Sequence, residues 1–90
     1  MDLDRARMIN GKLVACYMAN KGIVQGQRPP PLTGITLAEA LEATRMVGTQ
    51  PPQRDPDGQK RFELVVAPVE LPKLYAWSVL TMQTLPPPER

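Results

Sequence analysis

The chain has 90 residues, 42% of them apolar and 22% charged, with a formal net charge of +2. That length accommodates one domain, no apolar run approaches the ~18 residues of a membrane span, and so small a net charge is that of an ordinary soluble domain. There is no histidine, one serine (Ser78) and one cysteine (Cys16), so the commonest general base is missing and no internal disulfide can form.

Leu, Ile, Val and Phe together number 21, just above the ~20% level below which a chain of this kind tends to disorder. The core is therefore thin, and association with a second copy is a natural source of further burial. Residues 1–45 hold six basic and four acidic side chains and residues 46–90 five of each, so no like-charge block reads as a nucleic-acid or membrane arm. The start, Met1-Asp2-Leu3-Asp4, has neither the basic region nor the apolar stretch of a secretory signal. With a single cysteine this points to a reducing, cytoplasmic setting. The preference for Arg over Lys, with many Pro and Ala, suggests a GC-rich bacterial or phage genome.

Residues 2–21 read as a helix. Asp2 and Asp4 favour the positive end of its dipole, and Lys21-Gly22 closes it. Ala6, Ile9, Leu13, Cys16 and Tyr17 recur at helical spacing on one stripe. Leu3, Val14 and Met18 cluster on nearly the opposite side, and a helix apolar on two faces needs two things to pack against. Residues 22–35 form a connector, in which Pro29–Pro31 favour an extended polyproline stretch.

Residues 36–47 read as a second helix opened by a capping box, Thr36 with Glu39, and closed by Gly48. Leu37, Ala40, Leu41, Thr44 and Val47 make its expected buried stripe, and Glu42 faces Arg45 at i, i+3. Asp55-Pro56-Asp57-Gly58 reads as a tight turn. Residues 60–67 read as a strand with Phe62, Leu64 and Val66 toward the core. In residues 73–84, Tyr75, Trp77, Val79 and Thr81 alternate, which favours a second strand hairpinned onto the first; Pro72 as an early helical residue supports the helical alternative. The expected fold is one α+β domain over residues 1–85, two helices packed on a C-terminal antiparallel hairpin or small sheet, followed by a loose Pro-rich tail at residues 86–90. The alternative is an all-α domain of three helices.

Catalytic chemistry is poorly supplied. Cys16 lies on the core stripe of the first helix, and Ser78 has no base near it in sequence. Asp55 and Asp57 superficially match the start of a calcium loop, but Pro56 interrupts, Gly58 comes at the fourth place rather than the sixth, and Val66 stands where the twelfth-place Glu belongs. The sequence thus points to no enzyme, no metal and no cofactor. A helix-turn-helix beginning at Thr36 is blocked by Pro51-Pro52. Two surfaces remain. Leu3, Val14 and Met18, with an uncovered strand edge, suit self-association, as a dimer, or binding of another protein. Arg54, Lys60 and Arg61 beside sheet aromatics are the less favoured alternative, a nucleic-acid surface. Arg28-Pro29-Pro30-Pro31-Leu32 reads as a stiff linker, its ligand-like spacing broken by Gly34.

Overall fold

The computed structural model describes residues 1–23 and 31–84, with residues 81–84 followed as helical backbone only. The fold is α+β: three helices and a small two-stranded antiparallel sheet. The polyproline reading of Pro29–Pro31 falls largely outside the described residues, and the 86–90 tail lies wholly outside them.

Helix α1 spans Leu3–Asn20. Asp2 caps it, its carboxylate accepting the Arg5 N–H at 2.7 Å, and Gly22 adopts φ +71° just beyond the end, a conformation that L side chains resist. Helix α2 spans Leu37–Gly48 and begins with the expected reciprocal box. The Glu39 amide donates to the Thr36 hydroxyl and the Thr36 amide to the Glu39 carboxylate, each at 3.1 Å. Gly48 is not the cap: it is the last helical residue, and Thr49 caps in an ordinary right-handed conformation.

Strand β1 (Gln53–Arg54) pairs antiparallel with β2 (Lys60–Arg61), Gln53 opposite Arg61 and Arg54 opposite Lys60. Asp55 organises the turn between them. Its side chain accepts the Asp57 and Gln59 amides and the Arg61 guanidinium at 3.0–3.1 Å, while Gly58 takes φ +79°. A short 3₁₀ turn, Pro68–Glu70, then leads into α3, Leu71–Thr84.

Here the structure corrects the expected C-terminal hairpin. Residues 73–84 are helical, and the sheet pairs residues 53–54 with 60–61 instead. The deciding pattern is Leu71, Leu74 and Ser78, all buried and spaced i, i+3, i+7, with Pro72 accommodated in the first turn. Packing of that face overrides the strand preference of Tyr75, Trp77 and Val79. Deprived of this partner, the chain beyond Arg61 runs on without a ladder. Phe62 is 72% exposed and Leu64 67%, so of the three residues expected to face the core only Val66 does.

The core joins Ile9, Leu13 and Cys16 of α1, Val47 of α2, and Leu71 and Leu74 of α3, closed by Leu32, Ile35 and Val66 from the connections. Helix α1 packs chiefly on α2, and α3 touches both. The buried face of α2 is rotated from expectation toward its small residues. Ala40, Ala43, Thr44 and Val47 are buried, whereas Leu37 and Leu41 are exposed. Alanines facing the buried Ala6 bring the helices close, where leucines would hold them apart. Glu42 takes the Met1 amino group at 3.3 Å rather than Arg45.

Leu13→Ala is expected to cost about 2–5 kcal/mol, and Thr36→Ala about 1 kcal/mol, in denaturant unfolding. The Glu39 carboxyl is held below its ordinary pKa by the Thr36 amide, then by Arg5 and the Thr36 hydroxyl. A carboxylate favoured in the folded state stabilises above its unfolded pKa and ceases to do so as pH falls through the folded one. Glu39→Gln is therefore expected to flatten the stability–pH curve below the usual carboxylate range and leave its slope at neutral pH unchanged.

Candidate functional site: apolar grooves flanking an extended strap

Residues 62–67 form an extended strap across the two N-terminal helices. It is anchored on one side by the Asn10 side-chain amide, which donates to the Leu64 carbonyl at 2.8 Å. Val66, 4% exposed, anchors it in the core. Leu64 and Val65 line different grooves.

The first groove, about 400 Å³, lies between α1 and the strap, lined by Gly11, Val14, Ala15 and Met18 together with Leu64. Its rim is an ion pair, Arg7 Nη2 to Glu63 Oε1 at 2.8 Å, and the Glu63 hydrogen bond holds the guanidinium firmly charged. Asn10 also lines this groove. It is 6% exposed, and its Oδ1 is buried without a partner. The second groove, about 570 Å³, lies between α2 and the strap, with Ala38, Leu41 and Arg45 on one wall and Val65, Val66 and Pro68 on the other.

The structure thus brings together two of the three residues assigned to self-association. Val14 and Met18 are half-buried neighbours on one groove wall, whereas Leu3, also half-buried, lies on the first turn of α1 outside that wall. Leu64 and Val65 are the contributors that sequence reasoning missed. Their alternation was visible, but it was assigned to a strand with one face in the core.

Arg54, Lys60 and Arg61 do meet on the hairpin, all exposed. Two of them serve the turn itself: Arg54 Nη1 donates to the Gly58 carbonyl and Arg61 Nε to Asp55, each at 3.0 Å. Asp55 and Asp57 in the same turn offset two of their three charges, while Glu63 is paired with Arg7. Tyr75 and Trp77 do not sit on an adjoining strand; they are half-buried on α3, where the Tyr75 hydroxyl donates to the Ile35 carbonyl at 2.9 Å. Burial pushes the Tyr75 hydroxyl up in pKa.

Cys16 is fully buried, and burial pushes its thiol up, a hydrogen bond with Ser78 opposing part of the rise. That is the environment of an inert core thiol rather than of a nucleophile. A small cavity of about 90 Å³ beside Ser78 is lined otherwise by Leu32, Thr33, Tyr75 and Val79. Among the described residues no three His, Cys, Asp or Glu side chains are grouped to hold a metal ion, and no helix is long and apolar enough to cross a membrane. No protein-family model, curated protein or solved structure matches the chain.

The Asn10 amide is the polar tie between strap and α1. Asn10→Ala is expected to cost about 1 kcal/mol of stability, read by urea unfolding.

Proposed function

We propose that this chain is a non-enzymatic protein-interaction module that self-associates as a dimer, in the cytoplasm, through the apolar face of α1 and the adjoining strap. The observation that carries this reading is the groove in which Val14 and Met18 of α1 meet the exposed Leu64. It joins the two surfaces, helix face and extended edge, that the sequence marks for association. Full burial of an exposed side chain such as Leu64 is worth roughly 1.5–3 kcal/mol, and completing the burial of the half-buried Val14 and Met18 adds a part of that each. The buried, single cysteine is in keeping with a reducing compartment.

A second reading is nucleic-acid binding at the hairpin. It gains from the exposure of Phe62 directly after Lys60 and Arg61, since an open aromatic ring is a stacking platform. It loses on charge, because Asp55 engages Arg61 and Asp57 adds a second carboxylate in the same turn.

Light scattering at high micromolar concentration is expected to give the mass of two chains, and the unfolding midpoint to rise with protein concentration. Val14→Glu with Met18→Glu is expected to give one chain of unchanged helical content. A single-chain mass for the unmodified protein, with a concentration-independent midpoint, overturns the reading. Salt-sensitive binding of single-stranded nucleic acid, lost on changing Arg54, Lys60 and Arg61 to Ala, would favour the second.

A further inference from the structure

The face of α1 opposite its core stripe carries charges toward both ends and apolar side chains between them. Asp4, Arg7, Gly11, Val14, Met18 and Lys21 recur at alternating intervals of three and four, the spacing of a coiled-coil seam. Laid against itself in parallel, this stripe sets Asp4 against Asp4, Gly11 against Gly11 and Lys21 against Lys21. Like charges then meet at both ends, and a void remains at the middle. Laid antiparallel, the same stripe pairs Asp4 with Lys21, Arg7 with Met18, and Gly11 with Val14. Opposite charges meet at both ends, the Arg7 stem covers a methionine, and a branched side chain enters the space above a glycine.

We infer that the groove on α1 receives the α1 helix of a second copy, antiparallel, about a two-fold axis between Lys12 and Leu13. The inference rests on the self-association reading and specifies its geometry. Charge complementarity selects the occupant: Asp4 is exposed in the first turn of α1, and Lys21, the exposed C-cap residue with its ammonium 5.4 Å from the Tyr17 ring, stands at the other end. The antiparallel arrangement also sets the two helix dipoles in opposition. Close approach is open at the centre, for a Cβ added at Gly11 meets nothing within 4 Å. Val14 and Met18 are half-buried within one subunit and become covered by the other. The contact is isologous and therefore closes at two copies.

Charge reversal tests orientation and contact together, with the dimer dissociation constant measured by sedimentation. Asp4→Lys and Lys21→Glu are each expected to weaken the dimer about tenfold, as both symmetry-related pairs turn repulsive. The double variant is expected to return to within about threefold of the original, although it keeps both local losses at the helix ends. Gly11→Leu fills the space reserved for Val14 of the partner subunit. It is expected to leave the helical content intact and give single chains. A dimer indifferent to all four variants, or reversals that add without rescue, overturns the antiparallel seam while leaving self-association standing. A single-chain mass for the unmodified protein overturns both.

Discussion

The close approach of α1 and α2 over alanine is the constraint on which the rest of the molecule depends. Ala6, Ala40 and Ala43 are all fully buried and α1 packs chiefly on α2, so small side chains make up part of what these two helices hide. Ile9, Leu13 and Cys16 fill the core beside them, and Asn10 of α1 holds the Leu64 carbonyl at the surface of the pair. The strap of residues 62–67 crosses there. Its connection then delivers Leu71 and Leu74 of α3 to the open end of the core. Replacing this contact with a leucine-lined one would separate the helices and leave the strap without a bed.

A core this narrow leaves large side chains outside. Leu41, Phe62, Leu64 and Val69 are all at least 40% exposed. Isolated exposed apolar residues are commonplace. Here Leu41 and Leu64 border two grooves on either side of one segment, which makes the strap an organised surface. The polar groups around it are few and already engaged with one another: Arg7 with Glu63, and Asn10 with the Leu64 carbonyl.

What could be read in the sequence follows from which signals are local. Both N-terminal helices were legible, because Asp2, Gly22 and the Thr36–Glu39 box act over three or four residues. Helix α3 was not, for a specific reason. Its buried stripe is Leu71, Leu74 and Ser78, and a serine is invisible to a search for apolar periodicity, whereas Tyr75, Trp77 and Val79 imitate a strand. Leu37 and Leu41 were placed on the buried stripe of α2 with Ala40, Thr44 and Val47, whereas the structure buries Ala43 in their stead. At the candidate site, Val14 and Met18 were legible from the helical repeat. Leu64 was not, since its exposure depends on the absence of a neighbouring strand, a tertiary fact.

The strap also bears on how the chain stays dispersed. Phe62-Glu63-Leu64-Val65-Val66 is short, rich in strand formers and open along its backbone past Arg61, the composition from which cross-β fibrils nucleate. Arg61 and Pro68 stand at its two flanks, and Glu63 sits within it, tethered to Arg7. These residues act as gatekeepers, interrupting the stacking of identical segments by charge or by a missing amide. The five residues with the strongest strand-forming composition in the chain thus carry a charge at their second position, held in place by Arg7.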